Sequence, residues 1–499
     1  MNRRARKSYR RYTQPPAARV VGGTRVIQDS TLTFTPAYDW LGGIGSDARG
    51  NAEKRAEDLI RTNADVLRRL RVDATVVRRN GEPGLSFRAG TRVGAVPLRS
   101  PISGRPDFGL IVVPRFEWTG IGDVLASTGF RVVPELLAMP ELPQSERRIP
   151  PWVLSSVILQ RMERLLDASA RRFETVSQDL RAPRGAVDWT SYATQRFAVG
   201  RALDVPCTFP DLRDDEQLRS AIHWVVLRHR EALLGAPAGG LVVRKLLIVV
   251  EGLLARLANT PPKQPPAGAR AAWKLPGFSP TVIREGLDAI DWTVDERGLA
   301  GLSDLSGLAW HLDMERFFEA WVESVAWYAA VRNGAIVRSG RSEQTRVPLD
   351  WSPATAGSQR SLVPDVVIER DDMVVVVDVK YKQHAEEIRK LGWHATTEAT
   401  RERHRSDLLQ ALAYSTLFDA PRIVALLAYP TELSEWQQLR EMNKVLTLAK
   451  ARTSPRHIEV GLLAVPMDGD AELAGLEIEG LLRGDGEDWS RPYERPTGR

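Results

Sequence analysis

The chain has 499 residues but a single cysteine, Cys207. One thiol excludes an internal disulfide, a zinc site built from several cysteines and a four-cysteine iron–sulfur cluster. Long apolar runs are also missing, because four charged residues interrupt the longest apolar stretch, residues 241–258. The basic N-terminus is not followed by an apolar segment, so it does not read as a secretory signal. We therefore expect a cytoplasmic protein with no membrane partner.

A nucleotide-binding loop of the P-loop class is another missing feature. The pattern Gly-x4-Gly-Lys-Ser/Thr occurs nowhere in the sequence, and that pattern cradles the phosphates in P-loop NTPases. If the function requires a motor, we expect another chain to supply it.

Lysine is scarce, with ten lysines beside 59 arginines in a chain of formal net charge +6. A guanidinium group keeps its charge and pairs with phosphate through two parallel hydrogen bonds, so this composition suits a polyanionic partner such as nucleic acid. A GC-rich genome gives the same excess of arginine. Composition alone therefore leaves a nucleic-acid partner open.

The order of patterns along the chain predicts an α/β protein with five segments. These are a basic flexible arm (1–34), a β-rich N-terminal domain (35–150), a helical middle region (151–260), a Pro-rich linker (261–285) and a C-terminal domain (286–499). In the C-terminal domain the spacing predicts a helix over 312–331, strands near 363–369 and 373–381, a helix near 405–418, and strands at 423–429 and 458–465. A helix, a hairpin, a helix and further strands make a mixed α/β domain.

The strongest chemical signal is Pro364-Asp365 followed, after twelve residues, by Asp378-Val379-Lys380. A polar turn at 369–372 folds one predicted strand back along the other. Side chains alternate between the faces of a strand, so Asp378 and Lys380 point the same way. Asp365, early in the partner strand, then lies near Asp378. The hairpin thus predicts two carboxylates and an ammonium in one site.

This trio suits phosphodiester hydrolysis. Carboxylate oxygens hold Mg²⁺, which lowers the pKa of a bound water and offsets charge in the transition state. Lys380 would orient that water or stabilise the developing charge. The alternative is a salt bridge that closes a hairpin edge. The site is favoured because Lys380 alone among the ten lysines has an acidic residue two positions before it.

Helical patterns add three candidate residues. Gln410 and Tyr414 are four apart in a predicted helix and share a face, so both could reach one substrate strand. Glu319 stands among aromatic residues, where a carboxylate could complete a metal site. The histidines form no obvious metal pair, and His384, His394 and His404, which are ten residues apart, are interpreted as surface residues.

These motifs together resemble the PD-(D/E)xK nuclease superfamily in its RecB-like branch. More narrowly, they are similar to the McrC family, the nuclease subunit of modification-dependent restriction systems of the McrBC type. The resemblance covers residues 305–430 and is carried by residues 314–319, 363–365, 377–382 and 407–414. It implies a C-terminal PD-(D/E)xK restriction-endonuclease-like domain.

The resemblance also implies a role for each motif residue. The implied catalytic residues are Asp365, Asp378, Lys380 and Glu319. The implied metal ligands are Asp365, Asp378, Glu319 and the backbone carbonyl of Val379. Gln410 and Tyr414 would be supporting residues near the substrate. The metal would be Mg²⁺, with Mn²⁺ as a substitute.

In this family the subunit cuts DNA when it is assembled with a ring-forming AAA+ GTPase of the McrB type, whose own domain recognises the modified base. The family's N-terminal region docks into that ring, and residues 35–150 are the candidate for that role. The basic arm and the linker depart from the family pattern, so the partner could be another motor NTPase or absent. A free-standing RecB-like repair nuclease and a non-catalytic DNA-binding subunit remain the alternative functions.

Overall fold

A computed structural model of the chain describes residues 19–21, 24–37, 52–142, 150–169, 172–213, 215–235, 240–273, 280–295, 307–352, 359–370, 372–450 and 457–484. The chain divides into two compact units. The first contains Met1–Arg148, Gly240–Val242 and Asp304–Arg499, and the second contains Ile149–Gly239 and Val243–Ser303. The mixed α/β class predicted from the sequence is confirmed.

The strands are numbered in chain order. They are β1 (Arg19–Val21), β2 (Thr24–Gln28), β3 (Leu32–Pro36), β4 (Val72–Arg79), β5 (Glu82–Ala89), β6 (Arg92–Leu98), β7 (Phe108–Val113), β8 (Glu135–Leu142), β9 (Arg172–Leu180), β10 (Ala186–Val187), β11 (Val205–Arg213), β12 (Gly307–Asp313), β13 (Ile336–Ser339), β14 (Val347–Pro348), β15 (Ser361–Leu362), β16 (Val366–Arg370), β17 (Met373–Val379), β18 (Arg422–Thr431), β19 (Leu446–Lys450) and β20 (His457–Pro466).

The α-helices of six residues or more are numbered in the same way. They are α1 (Ala52–Thr62), α2 (Ala64–Arg69), α3 (Trp118–Ser127), α4 (Pro151–Ala168), α5 (Glu216–Leu234), α6 (Gly240–Arg256), α7 (Ala267–Trp273), α8 (Thr281–Val294), α9 (Met314–Arg332), α10 (His384–Leu391), α11 (Glu398–Ser415), α12 (Leu433–Glu441) and α13 (Ala471–Arg483). Among these described helices, none is long and apolar enough to cross a membrane.

The first unit contains a six-stranded N-terminal sheet in the order β1-β2-β7-β6-β12-β8. Strands β2 and β7 run parallel, so their carboxyl ends lie at the same edge of the sheet. A smaller sheet, β3-β5-β4, and helices α1 and α2 share a core with this sheet. Leu59 of α1, Phe87 of β5 and Val112 of β7 are buried there.

The first unit also contains a six-stranded C-terminal sheet in the order β13-β16-β17-β18-β20-β19. Its middle strands β17, β18 and β20 are parallel, and β13, β16 and β19 are antiparallel to their neighbours. All seven residues of β17 are buried, as expected where helices cover both faces of a parallel sheet and the strand reads as a continuous apolar run. Helix α11 lies between β17 and β18 in sequence and packs on both strands.

The second unit is built from helices and one small sheet. Helices α4, α5 and α8 pack against one another, and strands β10, β11 and β9 form a three-stranded sheet. The buried His229 of α5 joins the three helices, because Nδ1 lies 3.0 Å from Ser155 Oγ of α4 and Nε2 lies 3.2 Å from Thr293 Oγ1 of α8. This unit is therefore held by a buried polar contact as well as by apolar packing.

The predicted flexible arm is wrong for residues 24–34, because these residues form β2 and the start of β3. Strand β2 pairs with β7 inside the N-terminal sheet, and Ile27 is 3% exposed in its core. The density of arginines near the N-terminus masked this short apolar strand. Residues 1–18 of the predicted arm lie outside the described residues.

The predicted Pro-rich linker is also wrong, because α7 and the first part of α8 occupy much of it. Pro280 stands directly before α8, a position where its missing N–H would have no partner in any case. Helix α8 packs closely on α4: a Cβ at Gly286 would lie 2.7 Å from Leu165 Cβ. Pro266 and Pro280 thus stand directly before helices of the second unit, and residues 274–279 lie outside the described residues.

Two further boundaries differ from the predicted ones. The middle region is not only helical, because β9 and β11 pair along their whole length within it and side chains alternating along β11 form a small core. The predicted C-terminal domain begins too early, since 286–294 belongs to α8. In addition, β12 pairs with β6 and β8 of the N-terminal sheet. Such pairing between distant segments leaves no local pattern in a sequence.

The buried histidine of the second unit predicts a pH-dependent stability. Burial, with added repulsion from Arg228, lowers the pKa of His229 from 6.5 to about 3. Below pH 6.5 the unfolded state therefore binds a proton that the folded state does not, so the free energy of unfolding falls as the pH falls towards 3, by at most about 1.4 kcal/mol per unit. Hydrogen exchange of the α5 amides should report this slope, and His229→Asn should flatten it. Equal slopes in both proteins would contradict the prediction.

Candidate active site

The hairpin of β16 and β17 places two carboxylates side by side. Val366 pairs with Val377 in antiparallel register, so Asp365 and Asp378 are the next residues outward on the two strands. Asp365 Oδ2 accepts a hydrogen bond of 2.7 Å from the N–H of Val379. Asp378 is 1% exposed. The hairpin thus fixes the first pair of predicted site residues at the end of a buried strand.

Lys380 completes this arrangement just beyond the end of β17. Its Nζ lies 2.9 Å from Asp378 Oδ1 and donates a hydrogen bond of 3.0 Å to Gln410 Oε1 of α11. Gln410 Nε2 in turn donates to the hydroxyl of Tyr414 at 3.1 Å. The Tyr414 ring packs on Val374 and Val376, among other residues of the hairpin. The structure therefore brings these predicted residues into one hydrogen-bonded chain.

Burial dominates the electrostatics of the two aspartates. It raises the pKa of Asp365 to about 6, against the opposing effect of the Val379 N–H, and the charge of Glu319 raises it further. Burial likewise raises the pKa of Asp378 to about 6, against the opposing effect of Lys380. Burial by itself would lower the pKa of Lys380, but the charge of Asp378 raises it. Lys380 is therefore protonated, and its ammonium pairs with the buried Asp378 carboxylate.

Glu319 reaches this region from α9. Asp313 caps the helix, since its Oδ1 accepts the N–H groups of Glu315 and Arg316 at 3.2 and 3.4 Å. Glu319 is half-buried, and burial raises its pKa while the charge of Arg341 opposes that shift. Arg341 is exposed and lies on a turn next to Asp365. The N–H of Gly340 in this turn donates a hydrogen bond of 2.8 Å to the carbonyl of Asp365. The sequence patterns gave no signal for Arg341.

A second polar cluster lies one helical turn from Gln410, centred on Asp407. Asp407 Oδ1 accepts a hydrogen bond of 2.6 Å from Lys382 Nζ, and Oδ2 lies 3.1 Å from His384 Nε2 and 3.4 Å from the hydroxyl of Tyr429. Burial by itself would raise the pKa of Asp407, but the hydrogen bonds from His384 and Lys382 hold that pKa below its usual value. The expectation of surface histidines is wrong for His384 and His404, which are 3% and 7% exposed. The wide spacing of these two histidines in the sequence gave no indication that the fold buries both of them.

The family comparison bears on this region. Residues 300–430 match the family model described as "McrBC 5-methylcytosine restriction system component". This segment belongs to the McrBC family. The resemblance inferred from the motifs is thus confirmed over α9, the β16–β17 hairpin and α11. The comparison with curated proteins found no match.

Two solved structures of McrBC proteins are similar to the chain. A refined half-complex from a tetradecameric assembly of Thermococcus gammatolerans McrB AAA+ hexamers with bound McrC is 15% identical; the alignment covers 91% of this chain and 99% of that chain, with a TM-score of 0.40. A cryo-EM structure of the Thermococcus gammatolerans McrBC complex is also 15% identical, covering 63% of this chain and 89% of that chain, with a TM-score of 0.26. Both TM-scores lie below 0.5, so neither structure defines the fold of this chain.

The donor atoms of the site fit a hard divalent cation. Asp378 Oδ2 is buried, lies 2.8 Å from Lys380 Nζ and has no hydrogen bond of good geometry within the described residues. Across those same residues no group of three or more His, Cys, Asp or Glu is assembled for a metal, so the donor set is the two aspartates. Mg²⁺ is commonly bound through one or two carboxylates while it keeps several waters. The role of Glu319 as a further ligand stays a prediction.

The Asp407 cluster predicts a measurable contribution to stability. Asp407→Ala removes the acceptor shared by Lys382, His384 and Tyr429, so we expect the free energy of unfolding to fall by about 3 kcal/mol. Urea denaturation measures this loss. Glu402→Ala, which removes an exposed ion pair with Arg405 on the same helix, is the control and should cost less than about 0.5 kcal/mol. Equal losses in the two variants would mean that Asp407 does not hold the cluster.

Proposed function

We propose that this chain is the metal-dependent DNA endonuclease subunit of a McrBC-like restriction system. The observation that supports this most directly is the group of Asp365, Asp378 and Lys380 at the end of β17, with Gln410 donated by α11. A buried and a half-buried carboxylate, both with a raised pKa, and an adjacent lysine are the groups that a PD-(D/E)xK nuclease uses. The family match over 300–430 supports the same assignment, because that family is a restriction-system component.

In this proposal each residue has a separate task. Asp365 and Asp378, with the carbonyl of Val379, would hold Mg²⁺, which supplies a bound water of lowered pKa and offsets negative charge on the phosphate. The ammonium of Lys380 orients the attacking water and stabilises charge that develops on the phosphate oxygens.

The supporting residues fix the lysine and add charge. Gln410 accepts one hydrogen of Lys380, so the ammonium is held in a single direction, and Tyr414 orients the Gln410 amide from the other side. Glu319 adds a third carboxylate beside Asp365, as its effect on the pKa of that residue indicates. A divalent cation would relieve the repulsion among these carboxylates.

We further propose that a ring-forming AAA+ GTPase of the McrB type is the partner of this chain. The absence of a P-loop sequence means that translocation would need another protein. The family description names a component of a 5-methylcytosine restriction system, which agrees with a partner that reads the modified base. DNA would then be the substrate, with its recognition delegated to that partner.

The first test is cleavage of supercoiled plasmid DNA with Mg²⁺, by the full chain alone and with its AAA+ partner. Asp378→Ala should abolish cutting, because one carboxylate that would hold the metal is lost while β17 keeps its pairing on both sides. Asp372→Ala, which removes an exposed aspartate at the turn of the same hairpin, is the matched control and should cut normally. Cutting by Asp378→Ala at the wild-type rate would remove the nuclease assignment.

Metal binding gives a second test that does not depend on DNA. Calorimetric titration of the full chain with Mn²⁺ should detect one saturable event, and Asp365→Asn combined with Asp378→Asn should remove it, because a neutral amide is a poor ligand for a hard cation. A non-catalytic scaffold has no reason to bind the ion through these residues. Unchanged binding in the double variant would place the metal elsewhere.

A further inference from the structure

Tyr381 follows the candidate catalytic lysine directly and is 3% exposed. Its hydroxyl donates a hydrogen bond of 2.7 Å to Asp29 Oδ2, which lies at the carboxyl end of β2. Asp29 is fully buried. A residue 352 positions away in sequence therefore holds the side chain next to Lys380.

Arg115 closes the other side of this contact. The backbone N–H of Arg115 donates a hydrogen bond of 2.7 Å to Asp29 Oδ1. The guanidinium carbon of Arg115 lies 4.6 Å from the centre of the Tyr381 ring. Its Nη2 donates 3.4 Å to the carbonyl of Lys382, while Nε and Nη1 are buried without a hydrogen-bond partner in the described part of the chain. A buried guanidinium placed in this way is balanced by the Asp29 carboxylate and the face of the tyrosine ring.

The Tyr381 ring also contacts the helix that carries Glu319. The ring centre lies 6.2 Å from that of Phe318, which immediately precedes Glu319 on α9. On another side the ring meets Phe116 edge-on, with centres 6.1 Å apart. Tyr381 thus touches α9 and the N-terminal sheet while its own backbone continues from Lys380.

We propose that Tyr381, Asp29 and Arg115 form a positioning cluster, through which the N-terminal sheet fixes Lys380 and Glu319 for the reaction. This inference rests on the proposed nuclease function. Lys380 and Tyr381 are neighbours in a tight turn that is closed by the Lys382 N–H donating 2.9 Å to the Lys380 carbonyl, so a fixed Tyr381 ring restricts the backbone from which the Lys380 side chain extends. The Arg115 contact with the Lys382 carbonyl fixes the backbone on the far side.

The cluster explains a feature that the site itself leaves unexplained. Lys380 lies one residue beyond β17, where its N–H still donates to Ala428 at 2.9 Å but the regular strand pairing has ended. The end of a strand is otherwise free to fray. Contacts from the ends of β2 and β7 replace the missing strand partner at this point, so the N-terminal sheet is part of the site's support.

The test compares Tyr381→Phe with the wild type in the full chain with its AAA+ partner. The change removes the hydroxyl and keeps the ring, so we expect the single-turnover cleavage rate to fall about tenfold, because a small misplacement of a catalytic group is costly. The DNA concentration for half-maximal rate should stay the same, since no DNA contact is lost. Hydrogen exchange should become faster in peptides covering 379–382 and stay unchanged in β18.

Tyr192→Phe is the matched control, because it removes a tyrosine hydrogen bond of 2.8 Å, to the carbonyl of Ala202, in the second unit. It should change neither the rate nor the exchange of 379–382. A Tyr381→Phe protein that cuts at the wild-type rate, or whose exchange rises equally throughout the C-terminal sheet, overturns the positioning role. The nuclease function fails separately, through a fully active Asp378→Ala protein.

Discussion

The hydrogen bond from the N–H of Val379 to Asp365 Oδ2 is the contact on which the arrangement of the site depends. Asp365 lies directly before β16, outside the regular strand pairing. By accepting the N–H of Val379, it continues the hairpin by one step and holds its second oxygen beside Asp378. The hairpin register places the two carboxylates next to each other, and this bond offsets part of the burial and mutual repulsion that oppose the arrangement.

The surrounding structure compensates for the burial and the mutual repulsion of the two carboxylates. Strand β17 is buried along its whole length and paired on both sides, by β16 and by β18, so the hairpin end cannot open without breaking a central sheet. Burial raises the pKa of both aspartates more than the Val379 N–H and Lys380 lower it, so the protein by itself disfavours their charged forms. An arrangement that is electrostatically costly yet rigidly held is typical of a site built to bind a ligand of opposite charge.

The sequence was informative where structure is local and uninformative where it is not. The hairpin, the Asp378–Lys380 pair and the Gln410–Tyr414 spacing could be predicted, since they depend on strand alternation and on helical periodicity. The pairing of β12 with β6, the contact of Asp29 with Tyr381 and the burial of His384 could not, because they join distant segments. Composition misled in two places: arginines hid β2, and prolines that begin helices resembled a linker.

The geometry of α11 against β17 explains why Lys380, and not Lys382, lies beside the two aspartates of the candidate site. Asp407 and Gln410 are three residues apart on α11, which corresponds to a rise of about 4.5 Å. Asp407 contacts Lys382, and Gln410 contacts Lys380, so the two lysines are met in the reverse of their sequence order. Lys382 therefore pairs with the Asp407 carboxylate, which His384 and Tyr429 also contact. Lys380 receives a neutral amide from Gln410 and shares the Asp378 carboxylate. Its ammonium has three donor hydrogens and hydrogen-bonds to Asp378 and Gln410, so one hydrogen is left for a substrate oxygen beside the two aspartates.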